Sequence, residues 1–380
     1  MGPTAVNELG GPDRAGVYPQ GAVPDGFQPW RFRCRGGDFD CSPVVCDGTV
    51  YVNASRGPCF ALDALTGACR WRFTAPGGVC NAPAVMDGLV FVTDWNHGLW
   101  ALDAVSGRVR WHREGSRYCK NVLAQGGVVY LSDVGYPFKF IRGKGDLVAV
   151  DAASGQDLWQ TPKSDYGVNT IALSGGRIFH NGGEGELSAY DARSGELLWR
   201  DAGGGRQEFG SSCPPSVANR VVYVGSGAVL SAFSRGGRDL WGCRTGGPVL
   251  EAPAVRGDTV YVSVERVGVY ALNASDGQQR WRLADAQGGS AFAISGPTGW
   301  LVTGRDRRYL CAVDLATGKR LWQRDLGGRG RGTTPFLWQG IAFLAAGRDS
   351  VIAAEAEQGL MPPRLRPAQR FRGGRSTGLG

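Results

Sequence analysis

The eleven residues ALDALTGACRW at 61–71 return as ALDAVSGRVRW at 101–111, AVDAASGQDLW at 149–159 and AYDARSGELLW at 189–199. A chain that repeats one short pattern must build one supersecondary unit many times, because so small a unit cannot bury its apolar face alone and has to stack on its neighbours. With the leading alanine as marker, copies begin at Ala61, Ala101, Ala149, Ala189, Ala232, Ala271, Ala312 and Ala353, spaced by 39 to 48 residues. A period of about 42 residues with four strand signals per unit is that of a β-propeller blade.

Each unit also carries two β-branched runs around an Asp-Gly-type turn, as in SPVVCDGTVYV at 42–52 and APAVMDGLVFV at 82–92, which predict strands A and B. The repeated eleven residues supply strands C and D. Asp63 is suited to accept backbone N–H groups in the C–D turn, and Gly67 to take the left-handed conformation of a tight reversal. The eighth copy, AAEAEQGLMPP, lacks the closing tryptophan and runs into prolines, so its fourth strand is missing. WRFRC at 30–34 resembles WRFTA at 71–75 but has no strand C before it. The expected fold is therefore all-β, an eight-bladed propeller of four-stranded antiparallel blades. Its last blade is closed by the N-terminal strand around Trp30, which removes an exposed sheet edge. Residues 1–26 form a lead-in, 27–361 the propeller and 362–380 a basic tail.

The formal charge of +8 raises the question of a nucleic-acid partner. Arg364, Arg366, Arg370, Arg372 and Arg375 all fall in 362–380, a segment without an acid, so the rest of the chain carries only +3. Nucleic acid is not the expected partner. The tail reads as disordered and solvated, or as a docking arm for an acidic partner. Residues 1–26 have neither a basic start nor an apolar run, and nothing later is apolar enough to span a bilayer, so a cytoplasmic location without membrane contact is expected.

The copies of A-x-D-x-x-[ST]-G-x-x-x-W resemble the tryptophan-docking repeat of the bacterial pyrroloquinoline-quinone (PQQ) propeller superfamily over nearly the whole chain. The resemblance implies that Trp71, Trp111, Trp159, Trp199, Trp241, Trp281 and Trp322 pack between neighbouring blades. In blade five Ser234 replaces the aspartate and the turn is one residue short, which puts that turn in question. The opening GPDRAGVYP at 11–19 is similar to the lead-in of PQQ-repeat domains found alone or fused to bacterial kinases, but no kinase motif follows. Quinoprotein dehydrogenases in this superfamily use an adjacent cysteine pair and a calcium site. This chain has no adjacent cysteines, so neither PQQ nor any other cofactor, nor a bound metal, is expected.

The A–B and C–D turns are nearly uniform, whereas the D–A and B–C connections vary, and the variable end is the candidate face. Alignment on strand B places Cys41, Asn81, Lys120, Asn169, Cys213, Glu251, Ala291 and Thr333 at one equivalent position around the axis. Asp40, Cys80, Cys119, Val168, Ser212, Leu250, Ser290 and Gly332 come just before it. The B–C connections bring Asp94, His97, Glu184, Glu265 and Asp306 to the same mouth. Candidate ligand-binding residues are Cys41, Asn81, Lys120, Asn169, Cys213, Glu251, Asp94, His97 and Glu184. His180 is assigned to a blade interface or to this rim, His112 to the surface, and Cys34, Cys46, Cys59, Cys69, Cys243 and Cys311 to packing. The blade-three insertion at 133–145 is a packed surface loop or a lid.

Two classes of function remain. One is a scaffold that binds a small molecule or protein partner at the D–A/B–C face and performs no chemistry, consistent with the lack of a zinc motif H-E-x-x-H. The other is a PQQ-independent enzyme, a small-metabolite tailoring activity with Lys120 and Glu251 as acid and base, or Cys41 or Cys213 as nucleophile. An open polar funnel would favour the enzyme. A plugged mouth would favour the scaffold.

Overall fold

In a computed structural model the described residues are 5–115, 119–133, 146–162, 171–182, 186–201, 213–287, 289–304, 307–327, 332–346, 348–356 and 366–372; for 119–121, 133 and 366–372 the description is of the backbone alone. Eight sheets stand in a ring, each with four antiparallel strands ordered A-B-C-D from the axis outward. Blade one comprises Val44–Cys46, Thr49–Asn53, Cys59–Asp63 and Cys69–Phe73. Its B strand is buried along its length and its D strand is not. That gradient explains why B strands read as continuous apolar runs, while D strands alternate charge with tryptophan.

The eighth blade closes as its sequence requires. Phe336–Trp338, Ile341–Ala345 and Ser350–Glu355 supply three strands, and Trp30–Arg35 pairs antiparallel with the last, Trp30 opposite Ala353 and Phe32 opposite Val351. A fifth strand, Arg366–Arg372, lies parallel beyond Trp30–Arg35, so these residues of the expected solvated tail belong to the sheet.

The C–D turns form for a local reason. Asp63 accepts from the Leu65 and Thr66 amides and the Thr66 hydroxyl, and Asp103, Asp151 and Asp314 treat their Ser or Thr partners in the same way. In blade five the Ser234 hydroxyl takes this place, accepting from the Arg238 amide at 3.0 Å, and the turn survives the missing aspartate.

Blades are joined through these same turns. The Trp71 indole N–H donates to the Ala104 carbonyl of blade two at 2.9 Å, and its ring covers Gly107, where a Cβ would come within 2.6 Å of the indole. Trp30, Trp111, Trp159, Trp199, Trp241 and Trp281 repeat this contact with Ala64, Ala152, Ala192, Arg235, Ala274 and Leu315. Trp322 departs from the pattern. The equivalent carbonyl, Ala356, accepts from the Trp300 indole instead, at 3.1 Å. Among the described residues no helix is long and apolar enough to cross a membrane.

Candidate functional site at the hub

The two ends of the ring are distinguished by their turns. A–B turns bond to C–D turns, as Ala64 N–H to Gly48 and Ala104 N–H to Gly88. At the other end B–C loops bond to D–A loops, as Arg56 N–H to Val79, Trp95 N–H to Gly78 and Glu265 N–H to Pro248. The starts of the A strands face the axis at this second end.

The hub between the ends is occupied by the lead-in, a role for residues 5–20 that sequence reasoning missed. Six successive blades each give it one backbone N–H from the innermost strand: Val85 to Val6 O, Ala124 to Asn7 Oδ1, Leu173 to Pro12 O, Val217 to Asp13 O, Val255 to Ala15 O and Ile294 to Gly16 O, all between 2.7 and 2.9 Å. An inner strand has no neighbour on its axial side, and the lead-in supplies the acceptors that side lacks. Gly16 fits because it has none: with φ +70, a Cβ there would lie 2.7 Å from the Phe292 carbonyl oxygen. No periodic signal marks such a segment, since its pattern of contacts comes from the ring rather than from its own repeat.

Between its blade-three and blade-four contacts the lead-in turns inward at Glu8–Gly10 and fills the centre. Leu9, 5 % exposed, packs with Ala252 and Ala291 at the starts of two A strands. Arg14 is 2 % exposed; its Nε donates to the Ile171 carbonyl at 3.0 Å and its Nη1 reaches Glu8 at 3.4 Å. Burial lowers the Arg14 pKa, and Glu8 opposes that shift. Tyr18 is buried edge-on against Phe336, its hydroxyl pKa raised first by burial and then by Glu8.

Above this floor the predicted ring residues are placed unevenly. Cys41 is half-buried and its thiol donates to the Asn53 carbonyl at 3.6 Å; burial, then Asp40 and Glu8, push its pKa well up. Cys213 is buried, its sulfur accepts from the Gly225 amide at 2.9 Å, and burial raises its pKa to about 12, with Glu251 adding to the effect. Both thiols are therefore protonated at neutral pH and are weak nucleophiles. Glu251 is half-buried. Asn81 has left-handed backbone at a bulge, and its amide turns back to Cys80 Sγ and Thr93 Oγ1. Lys120 sits at the matching irregularity of blade three, on the inner strand Cys119–Gln125. Asn169, Glu184 and Asp306, and most of the 133–145 insertion, lie outside the described residues.

Asp94 is tied down by its own loop. It is 2 % exposed and accepts from the Gly98 amide at 2.7 Å and the Trp100 indole at 2.8 Å, which fixes the loop carrying His97. His97 is half-buried with φ +71. His180 is buried, and His112 is exposed and stacked on Trp100 at 3.7 Å. Among the described residues no group of three or more His, Cys, Asp or Glu could hold a metal ion.

Polar residues at the ends of B strands also went unrecognised. Asn53 donates to the Cys80 and Asn81 carbonyls, Asn181 to the Cys213 carbonyl, and Ser263 to the Ser290 carbonyl. Each pins the mouth of the next blade. The available signal was a polar residue closing an otherwise apolar run.

The model of one protein family, described as outer membrane protein assembly factor BamB, matches residues 21–170, 183–305 and 293–361. The chain belongs to this family. Among solved structures, BamB from Moraxella catarrhalis is similar at 17 % identity and a TM-score of 0.67, covering 85 % of this chain and 97 % of that one. The computationally designed Ika8 protein is similar at 14 % identity and a TM-score of 0.71, covering 85 % and 98 %. A quinohemoprotein alcohol dehydrogenase from Comamonas testosteroni is similar at 14 % identity and a TM-score of 0.68, covering 93 % and 80 %. A search of curated proteins found no match. These structural likenesses are of fold alone. The same ring fold is found in an assembly factor and in a dehydrogenase, so function has to be argued from the hub and its loops.

Proposed function

We propose that this protein is a binding scaffold that presents its D–A/B–C face to a protein partner and performs no quinone or thiol chemistry. The observation that carries the reading is the lead-in on the inner strands: Leu9, Arg14 and Tyr18 of the chain itself are buried there, with Glu8 beside Arg14, which leaves less room for a substrate among the described residues. The protonated state of Cys41 and Cys213 supports the same reading. The absence of adjacent cysteines in the sequence speaks against the quinone. The family description, an assembly factor, is of the same kind of work.

The loop face offers a rigid ridge across blades one and two. The Arg56 guanidinium lies 4.6 Å from the centre of the Trp95 ring. Gly78 allows the Arg56 backbone to approach so closely that a Cβ would come within 2.4 Å, and Gly77 does the same for Asn96. Arginine and tryptophan on pre-ordered loops are the residue types that anchor protein interfaces.

The test places a photo-crosslinking amino acid at exposed Asn96 in cells of the native host. A single adduct of defined mass, lost when Arg56→Glu is added, is the expected result. A diffuse pattern indifferent to that change would overturn the reading. So would alcohol oxidation by the purified protein supplied with PQQ and calcium.

A further inference from the structure

The outer edge of blade eight differs chemically from the rest of the molecule. Trp30–Arg35 and Arg366–Arg372 together contain Arg31, Arg33, Arg35, Arg366, Arg370 and Arg372 and no acid. Arg33 and Arg35 are exposed and alternate with buried Phe32 and Cys34. The parallel register sets Arg33 opposite Arg370 and Arg35 opposite Arg372. Like charges directly opposite one another in a sheet destabilise the pairing. Asp349 is half-buried and acts on Arg31 and Cys34. Counter-charge for these facing positions therefore has to come from outside the two strands.

Arg366–Arg372 is also the last strand of its sheet, so among the described residues one side of its backbone has no strand partner. Its arginines and Pro367 are the devices by which an edge rejects a neutral strand or a second copy of itself. They do not reject a strand of opposite charge. We propose that this edge docks an acidic polypeptide segment, which adds a sixth strand to blade eight with Asp or Glu at alternate positions. Alternate residues of an extended chain are about 6.6–6.8 Å apart, the same repeat as Arg33–Arg35 and Arg370–Arg372, so carboxylates and guanidiniums share one spacing. A nucleic acid could match the charge but could not pair with the backbone edge. That difference favours a protein segment.

The test is binding of a labelled twelve-residue peptide of alternating Glu and Thr to the full chain, followed by fluorescence anisotropy. Expected are an affinity that falls at least tenfold between 50 and 300 mM salt, slower amide exchange across 366–372, and at least tenfold weaker binding to the Arg33→Glu/Arg35→Glu variant. Arg370→Glu/Arg372→Glu, outside the ring-closing strand, should also weaken it at least tenfold without lowering the melting temperature, since opposite charges then face one another. A peptide N-methylated at alternate residues should bind at least fivefold less well. The proposal is overturned if the Lys–Thr counterpart binds as well, if N-methylation has no effect, if both double variants bind normally, or if a twelve-nucleotide oligo-dT binds more tightly at the same salt.

Discussion

Removing the Asn7 side chain tests whether the lead-in is part of the folded ring or merely rests on it. Asn7 is fully buried, and its amide acts as a substitute peptide, with Oδ1 accepting from the Ala124 amide at 2.8 Å and Nδ2 donating to the Ala124 carbonyl at 3.1 Å. In Asn7→Ala both backbone groups of Ala124 stay buried without partners. Each such group costs about 1–3 kcal/mol, so the pair should cost about 2–6 kcal/mol, the lower end applying if water enters the vacated space. Asn7→Asp keeps the acceptor but sets a carboxylate against the Ala124 carbonyl oxygen, and should be no less damaging. Urea unfolding followed by tryptophan fluorescence measures the loss, and amide exchange at Ala124, Val85 and Leu173 reports whether the whole strap loosens. Asn96→Ala, at an exposed loop, serves as the control and should change stability by less than about 0.5 kcal/mol. A loss in Asn7→Ala as small as the control's, with unchanged exchange at Ala124, would refute the idea that the hub is sealed by the lead-in.

Further outcomes follow from the turns and thiols. Gly107→Ala and Gly257→Ala both force an L-residue to positive φ, at roughly 1–2 kcal/mol, but only Gly107 has an indole within 3 Å of the new Cβ, so its variant should lose at least twice as much in the same urea assay. The Asp151 and Asp314 carboxyls are held below their ordinary value of 3.8 by hydrogen bonds from Ser154 and Thr317. Their contribution is complete above that value and is lost as pH falls through the lower folded values, so melting temperature should drop below about pH 4, less steeply in Asp314→Asn. Iodoacetamide at pH 8 should leave Cys41 and Cys213 unmodified in the folded protein, read by peptide mass spectrometry; rapid labelling of either would restore it as a candidate nucleophile. If the protein resides in a reducing compartment, denaturation after purification without reductant should release all ten thiols in Ellman titration.

The eight blades, their four-strand order and the closure at Trp30 were legible because each depends on local pattern: an aspartate and a glycine set a turn, alternation sets a strand, and a missing fourth strand has one visible replacement. Within the blades, His112, read as a surface residue because it follows a docking tryptophan, is exposed, and His180, placed at a blade interface or the rim, is buried. Trp322 carries the same sequence signature as Trp71, Trp111, Trp159, Trp199, Trp241 and Trp281, yet the carbonyl it would use accepts from Trp300, on the B strand of the same blade. A repeat pattern reports what each unit has in common and is silent about competition between units.

Sequence by itself determined the wheel, since every blade's shape follows from residues within about forty positions of one another. The tertiary structure decided what the wheel encloses. Residues 5–20 have no repeat, no apolar period and no charge pattern, and become the hub only because closing the ring creates a circle of inward-facing N–H groups that need acceptors. Cys41 and Cys213 likewise could be placed by position but not by reactivity, which depends first on burial, a property of the packed ring, and then on neighbouring carboxylates, Asp40 and Glu8 for Cys41 and Glu251 for Cys213.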